Sequence, residues 1–466
     1  LCDLYGFLTI GSHGNDAIAP TCAQPCQARE GLAEVTCQLD YPNKFGPLIA
    51  QARKCAEGAI LRAVVNEDNL TDETTIAKML KERGHQATIF SSSFNHFCRE
   101  ETRLYKGRET YAMTKEDGVP FVWIRTPSYL LGKLNRVLSM IRFAWRVWKV
   151  GKRNGNQLDV GEPDVIISST PPMFAPLAAY FLAKRLKKPF FLEVRDLWPE
   201  TIISFLRYSR FNPLIFLFSR MEKYLYKRAD AIINVLDGAE DYMAQKGADK
   251  NKILRLPNAV DFRFIPSGNS LPSNDVFTIV YAGHHGFANN LEMVVKASAI
   301  LRDQGWEDKI RFRLIGSGPY RPILLQMVRE QGLSNVEFLP AMNKQDIFPE
   351  MKKADAFLMV LRNAAVFKWG ISPNKLSDYL ACGRPVLFGV STDKNIVEKA
   401  DAGLTFSPTS AESLAEAAKK LAQMDGAKRS AMGKNGREFA LAHFNWEILM
   451  DSLEETLQQA CPPSDN

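Results

Sequence analysis

The chain has 466 residues, 46% hydrophobic and 24% charged, with a formal net charge of +7. These values exclude a wholly disordered protein and predict two or more globular domains. No apolar run reaches the length of a membrane span, the longest candidates being Pro171–Leu182 and Pro213–Phe218. No charged segment leads into an apolar stretch at the start, so no signal peptide is expected and the expected location is cytoplasmic. A moderate positive charge suits anionic lipid or phosphorylated ligands. Nucleic acid is not an expected partner.

Residues 1–58 read as an irregular extension. They hold five of the eight cysteines and little periodicity. Cys22 and Cys26 have no second pair near them at zinc-finger spacing, so structural or incidental cysteines are expected and no metal. Disulfides are not expected in a cytoplasmic chain.

Over 59–255 apolar strands alternate with helices. AILRAVV is a buried strand. TDETTIAKMLKERG is a helix that Thr71 or Asp72 caps and Gly84 stops. ATIFSSS follows, then a polar insertion, then the strand FVWI and a long helix. In KLNRVLSMIRFAWRVWKVGKR, Arg142, Arg146, Lys149 and Arg153 share a stripe beside Trp145 and Trp148. That pattern fits either a solvated helix face or peripheral contact with an anionic membrane. DVIISS, FFLEV, AIINVL and KILRL are further strands, with helices between them. This alternation predicts a parallel sheet covered on both faces.

Residues 256–275 are rich in Pro, Asn, Ser and Gly and read as a linker. The alternation then restarts and is expected to form a second domain over 256–430. Helices over 431–466 are expected to pack back towards the first domain. The predicted fold class is α/β, with two doubly wound Rossmann-like domains facing a cleft. Ligands in such sheets bind beyond the carboxyl ends of the strands.

Several junctions lie at those ends. In VYAGHHGFANN, Gly283 and Gly286 let backbone approach a ligand, while His284 and His285 add donors. A plain turn is the alternative. RLIGSGPY offers Gly316 and Gly318, or simply a tight turn. In WGISPNKLSDYLACGRP, Ser372 is expected to cap a helix with Pro373 at its first position. Asn374 and Lys375 then fall in the first turn. A cation opposes the helix dipole there unless an anion joins it. Lys375 therefore points to phosphate, and Asp378, on the same face, to ribose hydroxyls. A surface Lys–Asp pair is the alternative.

In the first domain FLEVRDLWPET places Arg195, Asp196, Trp198 and Glu200 at a strand end, as a polar-ligand site or an Arg–Asp structural pair. His96 in SFNHF is an acid/base, a sugar-hydroxyl donor or a structural histidine. Ser169 and Thr170 in SSTPP lie on the same edge. D-x-D, Walker A, HExxH and GxSxG motifs are absent from the sequence.

The ordered run KERGHQATIFSSSFNH, PDVIISSTPP, EVRDLWPE, LPNAVD, YAGHHGFAN, LIGSGP, FKWGISPNKLSDYLACGRPV and FNWE resembles the family-four glycosyltransferases of the GT-B fold. It is most similar to the WbuB-like O-antigen and colanic-acid sugar transferases. The resemblance implies a nucleotide-diphosphate sugar donor, with UDP favoured, no metal or other cofactor, and retention of anomeric configuration. It implies a lipid-linked oligosaccharide acceptor at the inner face of the plasma membrane. Gly283, His284, His285, Gly286, Gly316, Gly318, Ser372, Asn374, Lys375 and Asp378 would bind the donor. Ser169, Thr170, Trp198 and Glu200 would line the acceptor side, and Lys375, His96, Arg195 and Asp196 would serve catalysis.

Three departures from the family's pattern stand out. Gly370 stands where many members carry a glutamate. His284, His285 and Asn289 replace an Arg and a Lys. The first loop, in AVVNEDNLTDETT, has no glycine. A catalytically impaired homologue, a nucleotide-sugar epimerase of the same plan and a two-lobed sugar binder are the rival readings. The epimerase would need catalytic carboxylates across the cleft, and only Asp196 and Glu200 present themselves.

Overall fold

A computed structural model describes residues 60–64, 70–95, 100–103, 105, 107–127, 133–152, 160–265, 272 and 275–460. The expected extension over 1–58, His96, Arg153 and the glycine-poor loop at 65–69 lie outside the described residues.

The first domain holds β1 (Ile60–Val64), β2 (Gln86–Ser92), β3 (Phe94–Asn95), β4 (Glu100–Glu101), β5 (Tyr111–Glu116) and β6 (Val119–Ile124). It continues with β7 (Val165–Thr170), β8 (Phe190–Val194), β9 (Ala231–Asn234) and β10 (Ile253–Arg255). The main sheet runs in the order β10-β9-β8-β7-β1-β2-β6-β5, parallel except where β5 meets β6. Strands β7, β8 and β9 are buried at every residue, because helices cover both faces. The β5–β6 hairpin corrects the expectation of a mere polar insertion. Its turn is Asp117-Gly118, both at positive φ, which suits a tight hairpin. β3 and β4 form a small separate pair.

The second domain holds β11 (Phe277–Ala282), β12 (Ile310–Ile315), β13 (Val336–Leu339), β14 (Ala356–Val360), β15 (Val386–Gly389) and β16 (Gly403–Thr405). These run in the order β13-β12-β11-β14-β15-β16, all parallel. Strand order reverses between β11 and β14, and in the first sheet between β1 and β7. Doubly wound sheets open a crevice at such points.

The domains meet through aromatic pairs. Phe205 lies 5.7 Å from Phe367, and Tyr242 5.4 Å from Trp369, ring centre to ring centre. The expected boundary after residue 430 is corrected. Helix Gly426–His443 is one element and packs on the second domain, where Arg437 donates to the Ala381 carbonyl at 2.7 Å. The chain then returns. Val260 and Asn445 form a parallel bridge that ties the outgoing and returning crossings together. Helix Trp446–Ala460 buries Trp446, Leu449, Met450, Leu453 and Leu457 in the first domain with Ala77, Leu80 and Ile89. Arg83 fastens it through Glu447, Asp451 and Glu454 at 2.6–2.7 Å.

Candidate active site

A cleft of about 540 Å³ lies between the domains. Its second-domain wall joins the backbone of a glycine turn to side chains that include Leu361, Val366, Phe367 and Lys375. The turn after β11 contributes Gly283, His284, Gly286 and Asn289. The turn after β12 supports it from behind: Gly283 N–H donates to the Ile315 carbonyl at 2.9 Å and His285 N–H to the Ser317 carbonyl at 2.8 Å. A side chain at Gly316 would put its Cβ 1.9 Å from the Gly283 carbonyl oxygen. Gly316 and Gly318 are not among the residues lining the cleft, contrary to the donor-site expectation. They let one turn rest on the other.

His285 also departs from expectation. Its ring is fully buried between those of Tyr281 and Phe338, with centroids 5.9 and 6.1 Å away. Burial, with Arg321 nearby, pushes its imidazole down to about 4, so it is neutral at pH 7. It packs behind the turn rather than facing a ligand. His284 does face the cleft. Burial and the Lys375 charge hold its pKa below the usual value, so it too is neutral at pH 7.

Helix Asn374–Ala381 starts at the cleft. Pro373 occupies the cap position and no side chain caps the helix. Ser372, expected as the cap, is used elsewhere. Its hydroxyl accepts from Asn258 N–H at 3.4 Å, and its carbonyl accepts from the Asn258 side-chain amide. Leu376 N–H turns back to the Pro373 carbonyl at 2.9 Å, and the positive end of the helix dipole faces the cleft. Lys375 Nζ donates to Asn289 Oδ1 at 2.5 Å and to Tyr281 Oη at 2.8 Å, above the Tyr281 ring. These contacts hold the ammonium at the Gly283 turn. Asn374 and Asp378 line the same cleft.

Tyr379 anchors this arrangement, and sequence reasoning missed it. Its ring stacks on Phe357 and its hydroxyl meets both Ala282 N–H, at 2.8 Å, and the Ala282 carbonyl, at 3.1 Å. The helix start and the turn after β11 are pinned together by one residue. Gly370 has φ 107° and ψ 168°, a conformation close to glycine-only. A Cβ there would stand 1.7 Å from the Asp237 carbonyl oxygen of the first domain. The place of the family's glutamate is taken by a backbone contact between domains.

The first-domain wall is built from side chains. Thr170 and Pro171 follow β7, Arg195, Asp196 and Leu197 follow β8, and Val235 and Leu236 follow β9. Arg195 pairs with Glu73 of helix Leu70–Glu82 rather than with Asp196. Glu73 lines the cleft and is 7% exposed, with Oε2 buried and without a hydrogen bond. Asp196 accepts from Thr201 Oγ1 at 2.9 Å.

Three expected acceptor-side residues do not line the cleft. The Ser169 hydroxyl donates to Glu193 inside the sheet, because neighbours on a strand point to opposite faces and Thr170 takes the cleft side. Trp198 is 1% exposed, packed 5.7 Å from Phe218 in the core. Glu200 opens helix Glu200–Leu206 and pairs with Arg210 at 2.6 Å. Among the described residues no group of three or more His, Cys, Asp or Glu is placed to hold a metal.

Residues 74–259 match the Glycosyl transferase 4-like domain, and residues 276–424 match Glycosyl transferases group 1. The colanic acid biosynthesis glycosyltransferase WcaL of Escherichia coli is 23% identical over 50% of this chain and 58% of its own length. The GDP-mannose-dependent monoacylated alpha-(1-6)-phosphatidylinositol monomannoside mannosyltransferase of Corynebacterium glutamicum is 30% identical over 31% of this chain and 38% of its own. The chain thus spans 58% or less of these curated relatives. Anabaena HepE, solved in complex with UDP and glucose, superposes with a TM-score of 0.60 at 15% identity, covering 85% of this chain and 99% of HepE. With two matched domains arranged in this order about one cleft, the chain belongs to the family-four glycosyltransferases of the GT-B fold.

Proposed function

We propose that the chain transfers a sugar, with retention of configuration, from a nucleotide-diphosphate sugar to a lipid-linked saccharide during synthesis of a surface glycan. One observation carries this reading. An uncapped helix start and the Lys375 ammonium meet the same glycine turn at the mouth of β11. A diphosphate is the anion that such a pairing of dipole and cation suits. Asp378, one turn along, takes the ribose hydroxyls. UDP is the favoured nucleotide, in keeping with the UDP and glucose bound to HepE. A GDP-sugar is the competing donor, in keeping with the mannosyltransferase.

In the reaction the bond from the anomeric carbon to the diphosphate oxygen breaks first. Negative charge grows on the leaving oxygen, where the helix start, the Gly283 turn and Lys375 stabilise it. The acceptor hydroxyl attacks from the same face, and its proton passes to the departing phosphate. Neutral His284 offers the sugar hydroxyls a hydrogen bond without placing a second charge beside Lys375. Arg195 and Asp196 face this centre from the first domain.

The test is a panel of UDP-, GDP- and dTDP-sugars with a lipid-linked acceptor, following nucleotide release and the product anomer by NMR. Release with one donor and a retained anomer is expected. An inverted product overturns the retaining mechanism, and no release with any donor overturns the activity.

A further inference from the structure

Helix Lys133–Gly151 is apolar on two faces. Met140, Phe143, Val147 and Val150 are buried, whereas Leu138, Ile141 and Trp145 are 41%, 42% and 55% exposed. The exposed three recur at helical spacing, so they form a second stripe that the fold leaves uncovered. Helix Phe174–Leu186 packs alongside and adds Phe181, 45% exposed. Ile141, Trp145 and Phe181 line, with Trp148 and Leu177, an open groove of about 790 Å³.

The charge around this groove has one sign. Lys184 and Arg185 stand on its edge. Lys149 sits 5.0 Å over the Trp145 ring, and Lys152 sits 4.4 Å over that of Trp148. Neither helix contains an aspartate or a glutamate. None of the groove residues lines the interdomain cleft.

We propose that this two-helix face docks the protein on an anionic lipid bilayer. Trp145 and Phe181 enter the boundary between headgroups and acyl chains, and the basic rim meets lipid phosphates. A protein partner would typically be met by charges of both signs, but this face offers cations alone around aromatic and aliphatic side chains. Tryptophan beside lysine is the pairing that membrane interfaces favour. Among the described residues no helix is long and apolar enough to cross a membrane, so the docking is peripheral. The inference stands on these residues and not on the proposed reaction.

The experiment is sedimentation of the full chain with vesicles of phosphatidylcholine alone and of phosphatidylcholine mixed with phosphatidylglycerol, without substrates. Binding to the mixed vesicles, weakened by salt, is expected. Lys149→Glu with Lys184→Glu is expected to lower the partition coefficient by about 10²-fold. Trp145→Ser with Phe181→Ser is expected to lower it by at least about tenfold. Circular dichroism confirms that both variants fold. No binding to mixed vesicles, or equal binding by wild type and both folded variants, overturns the proposal. So does a dimer of the free chain that Trp145→Ser with Phe181→Ser dissolves while vesicles go unbound. Vesicle binding without any sugar transfer would leave this inference standing and sink the proposed reaction.

Discussion

The two walls of the cleft are made differently. The second-domain wall centres on a glycine turn, a helix start without a side-chain cap and one lysine, beside the apolar side chains of Leu361, Val366, Phe367 and Ile371. The first-domain wall mixes the charged and polar side chains of Glu73, Thr170, Arg195 and Asp196 with apolar Pro171, Leu197, Val235 and Leu236, drawn from segments far apart in sequence, with Glu73 and Arg195 separated by 122 positions. Backbone amides present the same donors whatever side chains surround them, so such a wall suits the part of a ligand that does not vary. A wall of side chains can be rebuilt one residue at a time, which suits the part that does. Under the proposed function, this contrast would give the second domain the donor diphosphate and leave the first to select what receives the sugar.

The contrast can be broken most sharply at Lys375. Lys375→Ala is expected to lower kcat by about 10²- to 10³-fold, read as nucleotide release, because the leaving diphosphate loses its cation. Unchanged turnover would remove the lysine from the donor wall. Gly370→Ala is expected to cost roughly 2 kcal/mol by thermal unfolding, since the residue must leave its conformation or push Asp237 away. An unaltered Tm would show that the walls do not touch there. Glu73→Gln is expected to raise the acceptor KM about tenfold while donor affinity stays put, because Arg195 loses a charged partner. An equal loss of donor affinity would erase the division of labour.

The smallest effects concern acid and base, and they have opposite signs in the two domains. His285 has a folded pKa of about 4 against an ordinary 6.5, so the unfolded chain binds more protons between those values. Its contribution to stability is complete above pH 6.5 and is lost as pH falls towards 4. His285→Phe keeps the ring contacts and should flatten that acid limb of Tm against pH. Glu222, in helix Pro213–Arg228, is pushed up to about 7 by burial, despite the Tyr242 hydroxyl at 2.8 Å. There the folded chain holds the extra proton, so stability falls as pH rises from 4.5 through 7. Glu222→Gln should raise Tm above pH 7 and change little near pH 5. Parallel pH profiles for wild type and each variant would refute the corresponding assignment.

The legibility of each wall follows from its construction. Two doubly wound sheets could be read because buried parallel strands are short apolar runs with helices between them. The place of Gly283, Lys375 and Asp378 on the cleft could be read because turn and helix-start requirements are local. Gly316 and Gly318 were visible as demanding positions, but sequence did not say whether backbone or ligand made the demand. Ser372 looked like a cap because local preference favours it, and Asn258, 114 positions away, won its hydroxyl. Trp198 and Glu200 were misplaced for a related reason. Sequence gives the neighbourhood of a turn, while the direction of each side chain depends on what packs against it. Glu73 and Tyr379 carried no local signal, since their importance rests on partners in distant segments. The Asp117-Gly118 hairpin did carry one, and it was overlooked.

The returning helix bears on how the molecule comes into being. Trp446, Leu449, Met450, Leu453 and Leu457 complete a core that otherwise belongs to residues before 260. During synthesis the first domain therefore emerges early and stays unfinished, with Ala77, Leu80 and Ile89 uncovered, until those residues leave the ribosome. The second domain's core draws on residues between 279 and 444, all of which precede that helix. Loss of helix Trp446–Ala460 would therefore strike the domain farthest from it in sequence.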